Sequence, residues 1–221
     1  FHSTLGYYSP IDDCLYFFSR KRSQSSMKVL KAYQLKITEK SKTYSDRKLT
    51  RYKELVQIEV QKYLRECDRD TLCTLRHEAT HRLAHLGELH SRRDFENKWL
   101  IEGIAQFFET STPGKTRKSK KALLITYQKS GKLLTWENLI NSDEETFNSV
   151  HSISKQLAYA QSWLLVRHLI NEHKEAFINF IQHQKNTSIL AQAQDDLTIL
   201  CQYLNSSPEE LLAKLNEDIK N

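Results

Sequence analysis

Thr71-Leu72-Cys73-Thr74-Leu75-Arg76-His77-Glu78-Ala79-Thr80-His81-Arg82-Leu83-Ala84-His85-Leu86 contains one HExxH run, His77 to His81. On a helix, residues four apart lie about 40° from each other around the axis, so both imidazoles project to one side. Two imidazoles so placed suit a single metal ion, and the Glu beside the first can serve as general base towards a water that the metal activates. A chain of this composition produces the pattern by chance only roughly 0.03 times. Asp70 or Thr71 is a good N-cap, which predicts a helix starting there. Leu72, Leu75, Ala79, Leu83 and Leu86 recur at helical spacing and predict a buried stripe, with His77 and His81 turned to a cleft on the opposite side. The alternative reading of the same residues is two His on a solvated helix face.

Working outward, Trp99-Leu100-Ile101-Glu102-Gly103-Ile104-Ala105-Gln106-Phe107-Phe108-Glu109 reads as a second helix. Leu100, Ile101, Ile104, Phe107 and Phe108 form a broad apolar face, and Glu102, Gln106 and Glu109 share the other. Gly103 would let another backbone approach closely. A catalytic zinc usually takes three protein ligands and one water, and Glu102 is the candidate third. The plain reading is a core helix with solvated acids.

The two segments together resemble the gluzincin metallopeptidases, most closely bacterial peptidase MA-like domains and then aminopeptidase-N-like enzymes, with thermolysin-like enzymes more distant. Those families carry HExxH, a spacer of similar length, and W-L-x-E-G-x-A with a later Glu. The resemblance implies that His77, His81 and Glu102 bind one zinc ion per chain and that Glu78 is the catalytic base. It makes Glu109 a candidate carboxylate behind a ligand His. Leu5-Gly6-Tyr7-Tyr8-Ser9-Pro10 through Leu15-Tyr16 looks like the family's strand before the active helix, whose edge can pair with an extended peptide. Ala158-Tyr159-Ala160-Gln161-Ser162-Trp163 resembles its Tyr-bearing helix, which would make Tyr159 a catalytic hydrogen-bond donor. Tyr159 also shares a helix face with Trp163, Val166 and Ile170, which suits an ordinary core Tyr equally well. His151 is the second candidate donor.

One departure bears on specificity. Aminopeptidase-N-like enzymes carry an upstream G-x-M-E-N motif whose Glu holds the substrate's amine. Here the one Met is Met27, and the motif is missing. The expected activity is therefore a zinc peptidase acting on peptide or protein, with internal cleavage favoured over removal of N-terminal residues. The alternative is a catalytically silent gluzincin-like scaffold that binds a partner. A secreted or periplasmic location is expected over a cytoplasmic one. Phe1 in place of an initiator Met suggests a piece of a longer precursor.

The chain has 221 residues with 39% hydrophobic content, enough for one gluzincin-like domain. We expect a predominantly helical α+β fold of zincin type: residues 1–45 a β element and polar insertion, 46–221 a helical body carrying the metal site. The net charge of +6 reads as solvated loops and helix faces, because no nucleic-acid-binding signature accompanies it. No apolar run approaches a membrane span.

Residues 5–18 read as strand and turn, 28–37 as a strand, and 20–48 as a polar insertion or mobile link. Asp46 to Glu66 marks an amphipathic helix, with a break at Asp68-Arg69-Asp70-Thr71. Cys67 and Cys73 flank that break, so either a small disulfide loop or free thiols would fit. Later helices are expected from near Ser154 to His173 and over 174–184, 193–204 and 207–219. Of the other histidines, His85 and His90 lie beyond the motif, and His168, His173 and His183 show no ligand spacing.

Overall fold

The computed structural model describes residues 6–89, 97–140, 147, 152–186 and 196–220. The architecture is α+β and predominantly helical, with one two-stranded sheet. That sheet is the expected hairpin, β1 (Gly6–Ser9) against antiparallel β2 (Cys14–Phe17). Tyr7 faces Tyr16 across the strands, and their rings stack 4.8 Å apart. A Cβ on Gly6 would meet Thr74 Cγ2 at 3.1 Å and Tyr16 O at 2.8 Å. The absence of a side chain is what lays the hairpin directly on the motif helix.

A 3-10 turn (Arg20–Arg22) leads into α1 (Gln24–Ser41), capped by Ser23, whose side chain accepts a hydrogen bond from Ser26 N. The strand expected at 28–37 and the mobile link at 20–48 are therefore wrong. Val29, Tyr33 and Ile37 fit a step of four as well as a step of two. With Ser26 and Leu30 they form the inward seam of α1 against α2 (Asp46–Leu86).

The helix α2 runs unbroken through 68–71, contrary to expectation. The residues that look like caps have other partners. Asp70 pairs with Arg20 at 3.3 Å and Arg117 at 2.9 Å, Asp68 pairs with Lys21, and Thr71 Oγ1 accepts from Arg20 N. Cys67 and Cys73 are both free and buried. Six residues on a straight helix span about 9 Å of axis, beyond disulfide reach.

The rest of the described chain is α3 (Lys98–Phe108), α4 (Lys118–Lys129), α5 (Trp136–Ile140), α6 (Ser152–Glu172), α7 (Lys174–Asn186), α8 (Asp196–Leu204) and α9 (Pro208–Asp218). Trp99 and Leu100 of α3, Leu165 and Leu169 of α6, Phe180 of α7 and Leu215 of α9 lie in one continuous core. Gly103 is the closest point between α3 and α6: an added Cβ would meet Val166 Cγ2 at 2.5 Å and Ser162 O at 2.7 Å. His168 Nδ1–H donates to Asp218 Oδ2 at 2.9 Å, tying α6 to the end of α9, a structural role. Ser207 and Glu210 form a reciprocal capping box at the start of α9. Among the described residues, no helix is long and apolar enough to cross a membrane.

Candidate metal centre and cleft

The face of α2 that meets the helical body is not the leucine stripe. Leu72, Leu83 and Leu86 are 49%, 68% and 56% exposed, whereas His77 and His81 are turned inward with side chains only 13% exposed. The cause lies in α3. Its apolar residues Trp99, Leu100 and Phe107 face the core, which leaves Glu102, Gln106 and Glu109 facing α2. Around His77 and His81 the interface between the two helices is thus polar against polar, whereas Ile104 and Phe108 meet Ala79 and Ala84 beside it. A polar contact is costly unless its groups are matched to each other or to an ion.

They are matched closely. His77 Nε2 lies 3.1 Å from His81 Nε2 and 3.1 Å from Glu102 Oε2, and His81 Nε2 lies 3.6 Å from that same oxygen. Donor atoms about 2.0–2.1 Å from a tetrahedral cation sit roughly 3.4 Å from one another. The triangle therefore fits a small tetrahedral ion, and the trio could hold a metal. Glu102 Oε2 is fully buried without a donor in hydrogen-bonding geometry. Burial alone would raise the Glu102 carboxyl; the two imidazoles more than offset this and hold it well below the usual range.

Behind His77, the structure places Gln106, whose amide nitrogen lies 3.1 Å from Nδ1. A His that ligates through Nε2 carries its proton on Nδ1 and needs an acceptor there. Turning the Gln106 amide end for end brings Oε1, a buried atom with no partner as placed, onto that proton. Glu109 does something else. Its carboxylate is 2.5 Å from Lys120 Nζ and 3.0 Å from Arg117 Nε. Burial would raise it, but Lys120 and Arg117, with His77 contributing less, lower it overall. No hydrogen bond links it to either imidazole among the described residues, so Gln106 occupies the position expected of Glu109.

Glu78 is one residue along α2 and opens on the cleft beside the triad. Its Oε2 accepts from Tyr8 N at 2.9 Å, which fixes the carboxylate against the hairpin. That bond also takes up a strand-edge donor that sequence reasoning left for a peptide. Burial, opposed by His81 and Tyr8 N–H and helped by Glu102, pushes the Glu78 carboxyl up to about 7. Tyr159 stands across the cleft, its ring centre 6.3 Å from that of His77. Burial and the carboxylates of Glu102 and Glu78 raise its phenol, so it stays a neutral donor. It also packs edge-on to Phe147 at 5.6 Å, so its body is core while its ring faces the site. His85 lies one turn beyond His81, near Tyr8, outside the converging donors. His90 and His151 lie outside the described residues.

The cleft has a volume of about 570 Å³. It is lined by Gly6 of the hairpin, by Thr74, His77 and Glu78 of α2, by Arg117, Ser119 and Lys120 at the start of α4, and by Lys155 and Tyr159 of α6. Sequence reasoning missed Gln106 as a His partner, although it placed the residue on the correct face of α3. Arg117 and Lys120 fall among the charges that the sequence assigns to solvated loops and helix faces, and no local signal brings them to the site.

A predominantly helical α+β chain whose cleft is floored by two helix-borne imidazoles and a buried carboxylate defines a candidate metal-binding class. Residues 71–190 match the family described as "Protein of unknown function (DUF1570)", and the chain belongs to that family. The matched stretch contains His77, Glu78, His81, Glu102, Gln106 and Tyr159, and leaves out the hairpin and α1. No curated protein and no solved structure matches the chain.

Proposed function

We propose that this chain is a zinc-dependent peptidase with a zincin-like, gluzincin-type catalytic centre. The observation that carries the reading is the triangle of His77 Nε2, His81 Nε2 and Glu102 Oε2, with Glu78 beside it at the cleft surface. Two imidazoles and one carboxylate are the donor set of catalytic zinc, with a fourth position free. Zinc bound there would supply acidification of a water and polarisation of the scissile carbonyl.

The chain's own residues divide the remaining work. Glu78, with a proton affinity near neutrality and held by Tyr8 N–H, takes the proton of the attacking water and hands it to the leaving amine. Tyr159, a neutral donor across the cleft, hydrogen-bonds the oxygen on which charge develops; loss of one such donor costs about 3 kcal/mol in other enzymes. Gln106 fixes the tautomer of His77. Internal bonds are the expected targets, since the chain has no amine-holding motif. The test is a mixed library of free and N-acetylated peptides, digested by zinc-loaded wild type and by Glu78→Gln. Cleavage of acetylated peptides by wild type alone is the expected result. Zinc-loaded wild type that cuts nothing would replace this reading with the non-catalytic scaffold.

A further inference from the structure

The cleft wall contributed by the start of α4 and by α6 carries three cations, Arg117, Lys120 and Lys155. Two of them belong to a chain of ion pairs. Lys120 is bound to Glu109, and Arg117 is shared between Glu109 and Asp70. Asp70 is itself shared with Arg20. Two carboxylates therefore answer three cations. Lys155 forms no ion pair among the described residues; its ammonium lies 5.9 Å from the centre of the Tyr159 ring. Arg20 lies outside the cleft, so the cleft's own three cations against Glu109 and Asp70 leave a surplus of one positive charge, on Lys155. The metal side would not absorb it, because Glu78 and Glu102 together would balance a bound divalent cation.

We propose that this wall, with Lys155 as its free cation, binds a carboxylate of the peptide substrate: an acidic side chain close to the scissile bond, or the chain's C-terminal carboxylate. The ligand class rests on the peptidase reading above; the excess charge does not. A surplus cation over the candidate donor lies within the roughly 8 Å over which charges act at physiological salt, and a concave wall strengthens its field. Lysine suits this task because its ammonium is a point charge on a flexible stem and accepts a carboxylate from several directions. Glu109, buried behind Lys120 and Arg117, fixes those two heads in the wall and keeps them from extending into the cleft.

The test is a binding measurement in zinc-loaded Glu78→Gln protein, so turnover does not enter. Three labelled peptides of one core sequence are compared. One carries an acidic side chain with both ends blocked, one is neutral with a free C-terminus, and one is neutral with both ends blocked. At least one of the first two should bind about 5- to 10-fold more tightly than the third at low salt. Which one does so identifies the source of the carboxylate. The advantage should shrink as salt is raised, persist in Lys155→Arg, and vanish or reverse in Lys155→Glu. Equal binding of all three peptides would overturn the proposal. So would a preference for carboxylates that survives Lys155→Glu unchanged, since the carboxylate would then be on the metal. Wild type that binds the acidic peptide without cutting it would count against the peptidase reading and leave the subsite standing.

Discussion

The two halves of α2 belong to one helix and do opposite things. Residues 46–66 touch chiefly α1, bury only Val56, and leave Leu55 and Ile58 more than half exposed. Residues 67–86 lie against the hairpin and α3, bury Cys67, Cys73 and Ala84, and carry the metal trio's two imidazoles. The charge follows the same division. Residues 20–53 hold twelve Lys and Arg against only Glu39 and Asp46, in a chain whose total is +6, so the remainder is net negative. The outer half and α1 form a basic arm whose energy comes from a thin seam and solvation. The inner half is held by matched polar groups around a site. Helical continuity alone therefore says little about what a segment contributes.

The largest expected contrast is electrostatic and falls in the inner half. Glu78 has a folded pKa near 7, against 4.5 as its ordinary value. Between those pH values the metal-free folded state holds more protons than the unfolded one, so stability falls as pH rises through the window. In metal-free protein, Glu78→Gln should therefore raise stability at pH 8 by up to roughly 3 kcal/mol and change little at pH 5. Denaturant melts of both proteins at the two pH values measure this. A stabilisation that is the same at pH 5 and pH 8 would remove desolvation of Glu78 from the account.

Next is the tautomer lock. Gln106→Leu should weaken zinc binding by roughly 10- to 100-fold, and Gln106→Glu should restore most of the loss. Competition with a chelator of known affinity reads this without any activity assay. Glu109→Gln should instead disturb Arg117 and Lys120 and leave zinc affinity nearly unchanged. The reverse ranking of these two variants would return the supporting role to Glu109.

A smaller effect belongs to Gly103. An added methyl would press on Ser162 O and Val166, a cost of about 1–3 kcal/mol from overpacking, partly offset by about 1 kcal/mol of helix propensity. Gly103→Ala should lower the melting temperature and loosen zinc together, because the methyl displaces the helix that carries Glu102. The smallest effect is expected in the outer half, where Ile58→Lys should stay within about 0.5 kcal/mol. A large loss there would show that the arm is packed against something the two-helix seam does not include.

The sequence disclosed the donor set more fully than the surfaces around it. HExxH and Glu102 are legible because a metal site, as proposed, would fix residue type and spacing at once, and the hairpin is legible because aromatic strand residues flank the turn residues Pro10, Asp12 and Asp13. The burial of α2 was misjudged because periodicity identifies an apolar face without saying which face a neighbour covers. Here the neighbour, α3, spends most of its apolar face on α6 and sets Glu102, Gln106 and Glu109 towards the His77 side of α2, with Ile104 and Phe108 beside Ala79 and Ala84. The choice between Gln106 and Glu109 turned on the register of two crossing helices, and both residues share a face. Asp68, Asp70 and Thr71 looked like a helix start because the same side chains that cap helices also pair with arginines from a distant turn. Arg117, Lys120 and Lys155 could not be placed at the cleft, since only tertiary packing of α4 and α6 brings them there.

The central claim is that His77, His81 and Glu102 form one metal site serving Glu78. Its most direct test is zinc content by elemental analysis of wild type, His77→Ala/His81→Ala and Glu78→Gln, each dialysed against a trace of zinc and then assayed on one peptide library. The account predicts close to one zinc in wild type and in Glu78→Gln, none in the double variant, and cleavage by wild type alone. One zinc per chain surviving the loss of both histidines would contradict it.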